Sequence, residues 1–171
     1  MRNFQQQRPL QYLCGWECAT AYAKKKEEEK KEKAWKDNKK KLKEGLKTHS
    51  DYLKELQIVF NKFIRLRDNG KPCISCGNPN MKKVNASHYY NANNHYNVRF
   101  DEDNVHSSCE YCNTYLHGNL IEYRPRLIEK IGEQRFKELE DKARTIRHFT
   151  IPELIELKEV YKEKIRILES K

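Results

Sequence analysis

DEDNVHSSCEYCN, residues 101–113, ends on two cysteines with two residues between them and an asparagine directly behind the second. The reading of this stretch decides the fold. Taken alone, Cys109 and Cys112 are half of a metal clip. The other half lies upstream in KPCISCGN, residues 71–78, where Cys73 and Cys76 repeat the spacing. Two such pairs with 32 residues between them offer four thiolates, the donor set that tetrahedral Zn2+ accepts. A four-cysteine centre is closed, so it scaffolds rather than binds a reactive water. Metal binding also helps to fold a centre too small to fold by apolar burial alone.

Working outward, Val84 to Tyr90 and Val98 to Phe100 read as short strands on either side of the polar loop NANNHYN. Asp101-Glu102-Asp103 reads as a turn, and Ser107 or Ser108 as the cap of a helix that begins near Cys109. The order is strand, loop, strand, helix. Upstream, residues 19–48 are an Ala/Lys/Glu run whose apolar content is little more than Trp35, Leu42 and Leu46, as in a solvated helix. From Leu53 the pattern changes: Leu56, Phe60, Phe63 and Ile64 follow at helical spacing, until Asp68-Asn69-Gly70 stops the helix. Downstream, Leu127, Ile128, Ile131, Phe136 and Leu139 predict two short helices divided at Gly132. Thr150 and Glu153 have capping-box spacing ahead of Leu154, Leu157, Tyr161, Ile165 and Leu168, which share one helix face.

Four segments result: 1–18, a basic helical arm over 19–70 that ends in an amphipathic helix, the cysteine-bearing centre over 71–120, and a helical region over 121–171. With 35% of its 171 residues charged, the chain has room for one modest domain plus solvated appendages. The excess charge is uneven. Residues 1–70 hold 18 Lys/Arg against 10 Asp/Glu, residues 71–120 hold 4 of each, and 121–171 hold 13 against 11. A basic arm beside a neutral centre suits a polyanion, with nucleic acid the first candidate. Lys24, Lys25, Lys26, Lys39, Lys40 and Lys41 in the arm, with Arg99 and Arg124, are the expected phosphate contacts. A soluble Lys-rich helix without a partner is the plainer reading of the arm. No apolar run nears the roughly 18 residues of a membrane span, and no signal-cleavage pattern opens the chain, so a cytoplasmic protein without membrane contact is expected. In that reducing setting, paired cysteines serve metals rather than disulfides.

Residues 73–120 resemble the HNH, or ββα-metal, nuclease family. His88 matches that family's first histidine, Asn104 its middle asparagine and Asn113 its final His/Asn. The resemblance implies that His88 is the general base for water attacking a phosphodiester, that Asn104 orients the imidazole, and that Asn113 binds a catalytic Mg2+ or Mn2+. Ser87 departs from the pattern, because an acidic or histidine metal ligand usually stands there. His106 and His117 are candidates to compensate at the ion or just behind it, and Asn113 and His117, four apart, would share a helix face. The plainer readings are a phosphate contact or zinc-thiolate partner for His106 and an exposed position for His117.

From CISCG through ASHYYNANNHYNVRFDEDNVHSSCEYCNTYLHGNLIEYR to LIEKIG, the chain also resembles the lambda-type NinG, or Rap, phage recombination proteins. The expected fold is therefore α+β, with a small zinc-stabilised HNH-like centre between a long N-terminal helix and shorter C-terminal helices. The implied function is a structure-specific endonuclease for branched DNA, such as D-loops and Holliday junctions, in the bacterial host cytoplasm. Phage or host recombination proteins and a second copy of the chain are the implied partners besides double-stranded or branched DNA. The family carries a further N-terminal cysteine cluster. Here YLCGWEC, with Cys14 and Cys18, is either the remnant of that site or two reduced thiols. The competing reading is a non-catalytic zinc module that binds nucleic acid or acts as an adaptor.

Overall fold

The computed structural model describes residues 15–170. They form two compact units, which divide between Lys47 and Thr48. The division falls inside the expected 19–70 arm, so the amphipathic helix belongs to the second unit. Among the described residues no helix is long and apolar enough to cross a membrane.

The first unit is α1 (Trp16–Gly45), a 30-residue helix without one buried residue. Its stability is local. Lys31 pairs with Glu27 at 2.7 Å and Lys36 with Glu32 at 2.6 Å, each i to i+4 and worth ~0.2–0.5 kcal/mol. Lys39 lies 4.8 Å over the Trp35 ring.

The second unit begins with α2 (His49–Arg67), whose start is a capping box between Thr48 and Asp51. Leu53, Leu56, Phe60, Phe63 and Ile64 are all buried, as their spacing predicts. They meet α5 (Ile151–Glu169), which starts on the expected Thr150–Glu153 box and buries Leu154, Tyr161 and Ile165. Phe60 is central: its ring meets Tyr161 edge-on at 4.8 Å and Phe100 at 5.6 Å. A second core joins Ile74 and Val98 to Tyr123 and Leu127 of α3 (Leu120–Ile131) and to Phe136 and Leu139 of α4 (Glu133–Ala143). Gly132, at φ 84°, is the C-cap of α3 and the N-cap of α4, a conformation that needs glycine.

Between the two cores runs an antiparallel hairpin of β1 (Val84–His88) and β2 (Val105–Cys109), with Ser87 opposite His106 and His88 opposite Val105. The architecture is α+β, as expected, but the second strand is displaced. Val98 and Phe100 lie on no strand: Val98 closes a 3-10 turn (Tyr96–Val98). Each still buries its side chain, Val98 in the α3/α4 core and Phe100 in the α2/α5 core. Ser107 and Ser108 are buried strand residues, not helix caps. The helix expected near Cys109 is reduced to a π-helical turn (Tyr111–Tyr115).

Candidate functional site

The hairpin brings the four cysteines together. Ile74 N–H donates to Ser107 O at 3.1 Å, which lays the first cysteine pair beside β2, and the second pair follows at the strand's end. The Cys73, Cys76, Cys109 and Cys112 sulfurs all lie within 4.8 Å of one another, with Cys76 and Cys109 Sγ 3.9 Å apart. A Zn–S bond of ~2.3 Å in a tetrahedron sets sulfurs ~3.8 Å apart, so the cluster can coordinate a structural metal such as Zn2+. Gly77 turns the first pair at φ 73°, and a Cβ there would stand 2.8 Å from Arg126 Nη1. Burial and the neighbouring sulfurs hold the Cys112 thiol well above its ordinary value. Cys73 moves the other way: burial opposes ionisation, but backbone N–H groups of Cys76, Cys109 and Ser75 bring it down to about 7. Crowded thiols cannot all ionise together, and a divalent cation removes that conflict.

A cleft of about 550 Å3 opens beside this centre. It is lined by Ser87 and His88 at the end of β1, by residues 89–93 and His95 of the following loop, and by Asn113, His117, Gly118 and Leu120. Ser75 Oγ donates to Gly118 O at 2.8 Å, tying the cysteine turn to the cleft lining.

His88 Nε2 lies 3.0 Å from Arg99 O. A carbonyl only accepts, so the proton sits on Nε2 and Nδ1 keeps its lone pair. Burial lowers the His88 pKa below its ordinary value, and the Arg99 charge adds to this, while the hydrogen bond to the Arg99 carbonyl opposes it. The ring is therefore neutral at neutral pH, with one basic nitrogen.

Asn104 does not bond the His88 ring. It is fully buried, its Oδ1 accepts from Tyr90 N–H at 2.7 Å, and its Nδ2 donates to Tyr90 O at 3.0 Å and Val98 O at 2.9 Å. It pins the loop that leads to Arg99, and the Arg99 carbonyl holds the ring. His117 does not extend the turn that carries Asn113. It lies beyond it at φ 49°, yet both residues reach the cleft. His106 is withdrawn from any ion in the cleft. It is 2% exposed, with Nδ1 3.4 Å from the Tyr123 hydroxyl. Burial, then the charges of Lys130 and Arg67, take its pKa down to about 2.

Arg99 is half-buried, donates from Nε to Gln57 Oε1 at 2.8 Å and lies 5.5 Å over the Tyr96 ring, so its guanidinium serves the fold. Arg124 is exposed and lies 5.2 Å over the Phe136 ring. Lys24, Lys25, Lys26, Lys39, Lys40 and Lys41 are exposed along α1, with Lys26 paired to Glu29 at 3.2 Å. Cys14 lies outside the described residues, and Cys18 stands in the first turn of α1.

Two further residues take roles that only the structure shows. His95 lines the cleft and bonds through Nδ1 to Ala143 O at 3.0 Å, which leaves Nε2 as its free nitrogen. The only hint in the sequence was a histidine in the polar loop. Asp68 is buried where α2, β2 and α3 meet. It accepts from Arg67 at 2.8 Å, Lys71 at 3.2 Å, Lys130 at 3.3 Å and the Ser107 N–H at 3.1 Å. Burial works against its charge, but Arg67 and Lys130 hold the carboxyl well below the usual range.

A family model described as bacteriophage lambda NinG protein matches residues 1–171. Protein ninG of Escherichia phage lambda is 37% identical over 172 residues, covering 92% of this chain and 84% of that protein. The Salmonella phage P22 protein ninG is 38% identical over 172 residues, with the same shares. That of Escherichia phage 933W is 38% identical over 154 residues, covering 84% of this chain and 76% of that protein. No solved structure matches the chain significantly.

Proposed function

We propose that this chain, which belongs to the bacteriophage lambda NinG family, hydrolyses phosphodiester bonds in branched DNA such as D-loops and Holliday junctions. The observation that carries the reading is the shared cleft: His88, with a free Nδ1, lies in it together with Asn113 and His117. His88 Nδ1 takes a proton from water as the oxygen attacks phosphorus, and the ester oxygen departs on the far side. Asn113 and His117 would hold a divalent ion, Mg2+ or Mn2+, which supplies positive charge to the phosphate and the leaving oxygen when bound. The four-cysteine centre is the scaffold and takes no part in the chemistry. The lysines of α1 and Arg124 would meet DNA phosphates. Recombination proteins of phage or host, and a second copy of the chain on a symmetric junction, belong to the same proposal.

A second reading, a zinc-containing DNA-binding or adaptor protein without turnover, draws on Ser87. It leaves a hydroxyl where HNH enzymes usually place an ion ligand. Single-turnover cleavage of a labelled four-way junction with Mn2+ or Mg2+ separates the two. His88→Ala should slow cleavage ~10²–10⁴-fold and spare zinc content and junction binding. Equal rates in two folded, zinc-loaded proteins would move the assignment to the second reading.

A further inference from the structure

The turn that closes the cysteine cluster also carries two aromatic rings that neither the cores nor the cleft use. Tyr111 and Tyr115 are 63% and 67% exposed, with ring centroids 6.0 Å apart and planes 35° from parallel. They stand at the two ends of the π-helical turn, which Leu116 N–H closes by donating to Tyr111 O at 3.1 Å. On such a turn, residues four apart project to one side and the residue midway to the other. Asn113 accordingly faces the cleft and the tyrosines the outer surface. The turn is firmly anchored. Cys112 is buried in the cluster, its N–H donates to Cys109 Sγ at 3.4 Å, and its carbonyl accepts from Gly118 N–H at 2.8 Å. Two rings are thus held in the open with little backbone freedom left to lose when a ligand arrives.

We infer that Tyr111 and Tyr115 are a stacking platform for unpaired bases, and that they select branched over fully paired DNA. The inference rests on the reading that the substrate is DNA. Size and charge argue for a base as the occupant. Two rings open over about two thirds of their surface present on the order of 250 Å2. With the exposed edge of Leu116 added, the patch remains well short of the ~800 Å2 per partner of a stable protein interface. It is ample for one or two bases. Lys83 is exposed, pairs with Glu110 at the start of the turn and feels Tyr115, so a cation for a linking phosphate borders the rings. The platform and the cleft lie on opposite sides of one turn, roughly 10 Å across. In a paired helix each base face is covered by its neighbours. Only bases freed at a branch can reach the rings, and stacking accepts them without reading sequence.

The test is equilibrium binding in a His88→Ala background, so that DNA stays intact. It uses a duplex with two unpaired 2-aminopurines at a branch and a fully paired duplex of equal length. Replacing both tyrosines with alanine should weaken binding to the branched probe roughly tenfold to a hundredfold and abolish quenching of the 2-aminopurines. The paired probe should be bound as before, and the double phenylalanine variant should behave as the parent. Zinc content and melting temperature establish that each variant is folded. Equal losses on both probes, no loss on either, or a phenylalanine variant as weak as the alanine one would overturn the platform. So would dissociation of a dimer by the alanine variant in sedimentation, which would assign the patch to a protein contact. If the parent binds neither probe, the DNA reading itself falls, whereas selective failure of the tyrosine arm leaves that reading standing.

Discussion

Replacing Asn104 with alanine should free the loop beside the cleft while leaving the four-cysteine centre loaded. The side chain makes three hydrogen bonds, one to the Tyr90 N–H and two to the carbonyls of Tyr90 and Val98. At ~1 kcal/mol net for each, the loss is about 3 kcal/mol, and more if the buried partners find no water. For a unit the size of Thr48–Lys171, that lowers the melting temperature by roughly 10 °C. Asn104→Asp should fare no better, because it sets a carboxylate against two carbonyl oxygens. Circular dichroism melting with zinc analysis gives the global effect, and hydrogen exchange at the Tyr90 amide gives the local one. Cleavage should fall as well, because the loosened segment carries the Arg99 carbonyl that fixes the His88 tautomer. The two possible roles of Asn104 separate here. A residue that merely oriented the ring would cost rate and leave stability alone. A fall in melting temperature below about 2 °C, with Tyr90 exchanging as slowly as before, would refute the reasoning. The contacts of His95 with Ala143 and of Asn97 with Thr145 would then suffice to hold the loop.

Asp68 has a folded pKa below its unfolded value, so its stabilisation is complete above ~4 and drains as pH falls through the folded value. Asp68→Asn should cost ~3–5 kcal/mol at pH 7 and flatten the acid limb of a melting-versus-pH series; an unaltered limb would exclude Asp68 as its source. Because burial lowers the His88 pKa, the cleavage rate should rise with pH to a midpoint below ~6.5 and then level off. A midpoint at or above that value contradicts the assignment of the base. Mn2+ should bind His88→Ala more tightly when branched DNA is present, and should outperform Mg2+ in cleavage by the parent; equal Mn2+ affinity with and without DNA argues against an ion shared with the phosphate. Stripping zinc with a strong chelator, or Cys112→Ser, should melt the second unit while the helical signal of α1 persists; an unchanged melting curve for metal-free protein would remove the structural role.

The parts of the fold legible in sequence are those where one short-range rule decides. The buried face of α2 needs apolar groups every three or four residues, and Leu53 to Ile64 supply them without interruption. The cap of α5 is two residues at fixed spacing, and the metal clip is two pairs. The start of α2 is less marked in sequence, because its box closes with Asp51 in place of the longer Glu or Gln. β2 was hidden for a different reason. Val105-His106-Ser107-Ser108 is buried along both faces, so no alternation of polar and apolar residues marks it. Two of its polar groups find partners remote in sequence, the Ser107 N–H in Asp68 and His106 in Tyr123, whereas the buried Ser107 Oγ has none among the described residues. A buried polar strand of this kind reads as a loop with helix caps. Val98 and Phe100, apolar and two apart, imitate a strand while each serves a different core.

At the candidate site the side chains that share the cleft were legible and their supports were not. His88, Asn113 and His117 are side chains whose chemistry can be named from their type, and all three reach one cleft. What holds His88 is the carbonyl of Arg99, and what holds His95 is the carbonyl of Ala143. Every residue has a carbonyl, so neither bond leaves a mark in sequence. The same geometry bears on Ser87. Among the described residues no carboxylate lines the cleft, and the neutral ligands on offer are the imidazoles of His88, His95 and His117, the amides of Asn91, Asn93 and Asn113, and the hydroxyls of Ser87 and two tyrosines. A neutral donor set gives Mg2+ little to replace its tightly held water, and nitrogen donors suit first-row transition ions better. On the proposed reading, the negative charge that an acidic ligand at position 87 would have supplied would come from the DNA phosphate. In such a site ion and substrate complete each other's binding, and by linkage each raises the affinity for the other equally. Ser87 would then not mark a lost activity. It would make ion binding, and with it turnover, conditional on a phosphate lying in the cleft.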